Sequence, residues 1–241
     1  MSVSETKLNP KTGRSADWRM ALDVERCIGC HACSVACKVE NKVPLGRFLT
    51  KVYYLDEGRF PKVRRHFLPT LCMHCDDPPC LKACTRTAIV KGADGIVRVD
   101  AERCEKLGAC EAACPYGAIG TDGDDVADNC DFCSHRLDAG MEPACVETCP
   151  AEVFHFGDAN DPESSYSRFV AQKGAELAPL KPEEGTQPRV TYRGHHAPME
   201  AKIPQGRVHD PYSYEIETWT GLQSQFPRQE RVVWMKPGRK P

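Results

Sequence analysis

Fifteen cysteines, all between Cys27 and Cys149, constrain this chain more than any other feature. They fall into four runs. The first is Cys27-x2-Cys30-x2-Cys33-x3-Cys37, and the second is Cys72-x2-Cys75-x4-Cys80-x3-Cys84. The third is Cys104 followed by Cys110-x3-Cys114, and the fourth is Cys130-x2-Cys133-x11-Cys145-x3-Cys149. Every run closes on C-x3-C, and three of the four open on C-x2-C. Disulfide frameworks belong to short secreted chains with paired thiols. This chain has 241 residues and an odd number of thiols, so the cysteines read as metal ligands.

Zinc ribbons also use paired C-x2-C, but zinc leaves the recurring C-x3-C unexplained. The spacing of the first run is that of bacterial ferredoxins, where three thiolates on a tight loop grip an iron–sulfur cube and the fourth ligates a second cube. Gly29 sits inside that loop, where a missing Cβ admits close approach of the backbone to the cluster. Pro115 and Pro150 follow the last cysteine of runs three and four, while Lys38 and Thr85 stand there in runs one and two.

Run three aligns on run one without a gap, and Leu107 stands where the second cysteine belongs. An alkyl side chain cannot bind iron. The reading is a three-iron [3Fe-4S] cluster at that site; a four-iron cluster with water on its bare iron is the alternative, and Glu105 is a candidate oxygen ligand.

Lys plus Arg is 32 and Asp plus Glu is 34, for a net charge of −2, which gives no electrostatic case for nucleic acid as partner. The 41% hydrophobic content counts the cysteines, so the apolar core is thin and metal centres must help to hold the fold. No apolar run approaches the ~18 residues that span a membrane. Met1 to Met20 shows no apolar signal core and no twin arginine, so an export signal of its own is not expected. No phosphate-binding glycine loop or Ser/His/Asp grouping stands out.

The pattern predicts short strands at Met20–Val24 and Ile96–Asp100, each leading into a cysteine run, with a hairpin turn at Lys91–Gly95. Short helices at Ser34–Glu40, Leu81–Thr85 and Ala144–Thr148 carry the closing cysteines, and Phe48–Leu55 reads as a strand. The fold class expected is α+β: two interleaved bacterial-ferredoxin-like units with a mostly irregular C-terminal arm. One unit comprises residues 18–65 and 123–157, with runs one and four; the other, inserted, comprises residues 66–122, with runs two and three. Residues 158–241 are rich in Pro, Gly and charge and form the arm. Its aromatics Tyr212, Tyr214, Trp219, Phe226 and Trp234 suit a partner surface, or packing on the chain's own body. His31, His74 and His135 lie in or beside cysteine runs, placed either to hydrogen-bond a cluster sulfur or as surface residues of tight loops. Arg64, Arg65 and His66 either steer an acidic partner or form a solvated basic face.

The four runs, interleaved first with last, resemble the electron-transfer β subunits of DMSO-reductase-family molybdopterin oxidoreductases. The stretch from Cys130-Asp-Phe-Cys133 to Cys145-Val-Glu-Thr-Cys149-Pro is similar to the polysulfide, tetrathionate and arsenate reductase branch. So are Cys37-Lys-Val-Glu-Asn, Phe156-Gly157-Asp158 and Asp161-Pro162-Glu163-Ser164. Leu107 departs from that branch, which has Cys there, and matches nitrate-reductase-like β subunits. The resemblance implies the ligand sets. Three [4Fe-4S] clusters would sit on Cys27, Cys30, Cys33 and Cys149; on Cys130, Cys133, Cys145 and Cys37; and on Cys72, Cys75, Cys80 and Cys114. A [3Fe-4S] cluster would sit on Cys104, Cys110 and Cys84. It further implies a non-catalytic subunit that passes single electrons between a molybdopterin (molybdenum or tungsten) catalytic subunit, at the run-one end, and a membrane-anchor or haem subunit at the three-iron end. The complex would be membrane-associated in a prokaryotic cell, on the periplasmic face by co-export with a signal-bearing partner. An independent soluble polyferredoxin or iron–sulfur enzyme is the alternative.

Overall fold

A computed structural model describes residues 15–120, 126–194 and 203. The chain divides into a unit over Met1–His209 and a second over Asp210–Pro241, and all described residues belong to the first.

Strand β1 (Trp18–Asp23) leads through a 3-10 turn at Val24–Arg26 into the first cysteine run, whose loop opens helix α1 (Ala32–Glu40). A long hairpin follows, β2 (Lys51–Arg59) and β3 (Lys62–Thr70), then α2 (Pro79–Ala83) and the short hairpin of β4 (Ile89–Lys91) and β5 (Val97–Val99). Helix α3 (Ala109–Ala113), the small pair β6 (Ile119–Gly120) and β7 (Asp128–Asn129), and helices α4 (Ser134–Asp138) and α5 (Ala144–Glu147) complete the cysteine region. Beyond it come β8 (Phe154–Asp158), α6 (Ser165–Lys173), β9 (Leu177–Ala178) and β10 (Val190–Arg193).

The largest sheet runs β8-β1-β10-β9. β1 lies between an antiparallel β8, with Leu22 opposite Phe154, and a parallel β10, with Met20 opposite Val190. A strand flanked on both edges and covered on both faces has no solvent side. Met20, Ala21 and Leu22 are accordingly all fully buried, and the expected alternation gives way to a continuous apolar run. The core joins this sheet to the cysteine loops through Leu68, Ile96, Val97, Phe132 and Tyr192. Nine of the fifteen cysteines are themselves buried, so thiols fill space that aliphatic residues fill in an ordinary core of this size.

Helix α1 packs on α5, and α2 packs on α3. Runs one and four are thus neighbours, as are runs two and three. The boundary expected between residues 65 and 66 falls inside β3, which pairs with β2 along its whole length, so the hairpin stays in one piece.

The expectation of a mostly irregular arm from residue 158 is corrected for its described part. Residues 158–194 supply the end of β8, then α6, β9 and β10, and Leu180, Val190 and Tyr192 are completely buried. β10 forms because β1 offers an edge to pair with, β9 adds to β10, and α6 starts from the Ser164 cap. Tyr212, Tyr214, Trp219, Phe226 and Trp234 lie outside the described residues.

Candidate iron–sulfur sites

Cys27, Cys30, Cys33 and Cys149 line one cavity, floored by Val153 and Phe154. Cys72, Cys75, Cys80 and Cys114 line a second, closed by Tyr116 and Ile119. Cys84, Cys104 and Cys110 line a third, and Leu107 lines it with them. The remaining four meet beside Asn41, whose Nδ2 lies 3.6 Å from Cys37 Sγ and 3.7 Å from Cys133 Sγ. Cys130 and Cys145 both sit within electrostatic reach of Cys37. Each of the four groups read from the sequence is therefore brought together in space.

The opening loops share one backbone device. The residue before the second ligand position has a left-handed conformation in every run: Gly29 (φ 66°), His74 (φ 46°), Lys106 (φ 59°) and Phe132 (φ 56°). Such a residue curls successive N–H groups inward and builds an anion-binding nest. At Gly29 the absent side chain is required sterically, because a Cβ there would lie 2.2 Å from the Phe67 ring. Lys106, followed by Gly108 (φ 71°), reproduces the Gly29 and His31 (φ 60°) pair of run one. Run three thus keeps the cluster-binding loop while presenting Leu107 where Cys30 stands in run one.

The closing cysteines share a second device. In runs two and three the helix is capped at the last cysteine, and in run four it is capped at Thr148, just before Cys149. The third residue beyond each closing cysteine is left-handed (Thr87, φ 51°; Gly117, φ 55°; Glu152, φ 50°). The fourth then donates its N–H to the thiol: Ala88 N to Cys84 Sγ at 3.3 Å, Ala118 N to Cys114 Sγ at 3.5 Å, and Val153 N to Cys149 Sγ at 3.4 Å. Pro115 and Pro150 preset φ at the first turn position. Run one differs because α1 continues through Cys37 to Glu40. Lys38 replaces the proline that would break that helix. The N–H of Asn41 is then spent on the Cys37 carbonyl at 3.0 Å, and its side-chain amide faces the thiol instead.

Burial pushes these thiols up: Cys33 to about 12, Cys75 to about 11, Cys80 to about 12, and Cys72, Cys130 and Cys145 well above the ordinary range. Neighbouring thiols reinforce the effect, since each thiolate disfavours the next. A cationic core is what turns such a set into thiolates, and an all-sulfur donor set suits iron–sulfur chemistry. Among the described residues no three His, Cys, Asp or Glu side chains converge as a single ion requires. The thiols instead ring cavities, which fits a cluster better than tetrahedral zinc.

The remaining candidates are placed as follows. Glu105 lines the Leu107 cavity, as does Arg86, and the two are paired at 2.6 Å, so its carboxylate is already engaged by a guanidinium there. Arg65 pairs with Asp56 at 2.7 Å and His66 with Glu57 at 3.1 Å, which leaves Arg64 as the unengaged member of the expected basic group among the described residues. His135 is an exposed partner of Glu40 at 2.7 Å, and the His31 ring packs on Tyr54 at 5.4 Å. His74 is completely buried. Asn41 is a site residue that the sequence reading does not single out; its signal is the helix-compatible Lys38 in a place where a turn-forming proline stands in runs three and four.

The fold and the clustered thiols define an iron–sulfur electron-transfer protein. Residues 18–39 match a 4Fe-4S binding domain and residues 63–159 a 4Fe-4S dicluster domain. The protein is 43% identical to the B subunit of tetrathionate reductase of Salmonella typhimurium, over 73% of its own length and 72% of the relative's. It is 37% identical to the B component of polysulfide reductase of Wolinella succinogenes, over 71% and 91% of the two proteins. It is 34% identical to the arsenate respiratory reductase iron-sulfur subunit of a Shewanella species, over 72% and 94%. The protein belongs to the family of non-catalytic iron–sulfur electron-transfer subunits of DMSO-reductase-family molybdopterin oxidoreductases.

Proposed function

We propose that this subunit carries three [4Fe-4S] clusters and one [3Fe-4S] cluster. Cys27, Cys30, Cys33 and Cys149 hold the first; Cys37, Cys130, Cys133 and Cys145 the second; Cys72, Cys75, Cys80 and Cys114 the third. Cys84, Cys104 and Cys110 hold the three-iron one. When bound, the clusters supply one-electron oxidation and reduction. The chain's own residues fix the rest: fifteen thiols hold iron, and Leu107 withholds a sixteenth ligand. Inward N–H groups support the sulfurs.

Two ends serve two partners. Cys30 is the one exposed cysteine, its neighbour Ile28 is 61% exposed, and Val35 and Val39 of the following helix α1 are 60% and 74% exposed. This face suits docking of the molybdopterin catalytic subunit, since exposed apolar side chains beside an exposed ligand are what a protein interface covers. Leu107 is 65% exposed and marks the other outlet, toward a quinone- or haem-linked membrane subunit. The relatives are named for three different reductases, so substrate choice resides in the catalytic partner. No helix among the described residues is long and apolar enough to cross a membrane; the chain is held at the membrane through its partners, and we place it on the periplasmic face by co-export. The two ferredoxin units are assigned as runs one with four and two with three, the second inserted in the first.

The observation that carries this reading is the gathering of four cysteine groups around separate sites, one of them completed by leucine. Anaerobic purification of the tagged chain from its native host tests it. The expected result is a brown complex containing a molybdopterin subunit; a colourless chain purifying alone contradicts it.

A further inference from the structure

The closing cysteines of runs two, three and four each receive a backbone N–H from the fourth residue beyond, at 3.3 to 3.5 Å. Cys37 cannot, because the helix through it has already used that N–H. Asn41, at the same offset, brings a side-chain amide instead, and that amide does more than replace the missing bond. Its Nδ2 lies 3.6 Å from Cys37 Sγ, 3.7 Å from Cys133 Sγ and 3.0 Å from the Cys37 carbonyl. Two of the four thiols of one site, drawn from the first and last runs, therefore face a single amide group. The buried hydroxyl of Thr50 also faces Cys37.

We propose that Asn41 sets the reduction potential of the Cys37, Cys130, Cys133 and Cys145 site, apart from the other three. This rests on the reading of these cysteines as ligands of one cluster. An amide donating to a thiolate withdraws electron density from it and stabilises the reduced, more negative state, so donors at the sulfurs raise the potential. The backbone N–H bonds elsewhere are fixed by the fold and no side-chain exchange removes them. The Asn41 amide can be removed by one substitution, which opens the potential of this site to adjustment by sequence.

The test uses the intact complex carrying Asn41→Leu, with iron analysis and a redox titration followed by EPR. We expect wild-type iron content and one midpoint potential shifted downward, with the other three unmoved. Asn41→Gln, which keeps an amide, is expected to lie nearer to wild type. Iron retained with no midpoint moved, or with one moved upward, overturns the proposal. If the leucine crowds the site and iron is lost, Asn41→Ser removes the amide without adding bulk and is read in its place; iron loss from both variants also overturns it, since the residue is then structural. A wild-type protein that lacks the iron of four clusters refutes the ligand reading instead and is told apart by that result.

Discussion

The rings of His74 and Phe132 meet with centroids 3.8 Å apart. Each is the left-handed residue before the second cysteine of its run, His74 in run two and Phe132 in run four. His74 Nδ1 accepts the Val97 N–H at 3.0 Å, which leaves the ring proton on Nε2. Burial, with Lys91, Arg98 and Arg189 nearby, pushes its pKa well down, so the ring is neutral. Phe132 also packs edge-on to Phe156 of β8, at 5.1 Å. One aromatic pair thus joins the loop of run two to the loop of run four and to the central sheet.

Phe132→Ala is expected to cost about 3–5 kcal/mol, as for other fully buried phenylalanines. Thermal unfolding of the iron-loaded protein reads this as a melting point lowered by several degrees. A loss under about 1 kcal/mol, well below that range, would mean that the two loops are held together elsewhere.

Ending the chain at Asp158 removes β10, the parallel partner of β1, and leaves β1 with β8 alone. The expected outcome is loss of folding and of iron, although every cysteine is retained. Iron analysis of the truncated chain checks this: wild-type iron content would show that the central sheet is dispensable.

Most of the cysteine region was legible in the sequence, because ligand spacing on tight loops is fixed by local geometry. The hairpin turn at Lys91–Gly95 and the helices ending on closing cysteines follow from the same local rules. The role of residues 158–194 was not legible. Strands as short as Leu177–Ala178 and Val190–Arg193 carry no periodic signal. The second pairs with β1, some 170 residues upstream, as Met20 opposite Val190 shows, and the first pairs with the second. Asn41 escaped for a related reason: its meaning depends on a thiol from run four. Arg65 and His66 looked free as a sequence cluster and are engaged only because β2 brings Asp56 and Glu57 opposite them.

Acid is expected to strip iron steeply. Burial raises Cys33, Cys75 and Cys80 to about 11 to 12, so a thiol that leaves iron takes up a proton at any lower pH. Each site therefore gains several protons as it empties, and cluster affinity falls as pH falls. Bleaching of the visible absorbance against pH measures this. A dependence on fewer than one proton per cluster would contradict it.

Leu107→Cys is expected to convert the proposed three-iron site to a four-iron one. The loop is already in the run-one conformation, and the side chain, 65% exposed, costs little to exchange. EPR of the oxidised variant should lose the three-iron signal, and a new signal should arise only on reduction. The added thiolate should also lower the potential of that site. An unchanged oxidised-state signal would show that the new thiol does not reach the iron.

Iron and spin counting on the purified wild-type protein test the central claim most directly. The account predicts about 15 iron atoms per chain, with one near-isotropic EPR signal per chain in the oxidised state from the site at Leu107. About 16 iron atoms with no oxidised-state signal would mean that the leucine site holds a full cube, and stoichiometric zinc or half that iron would contradict the four-cluster reading altogether.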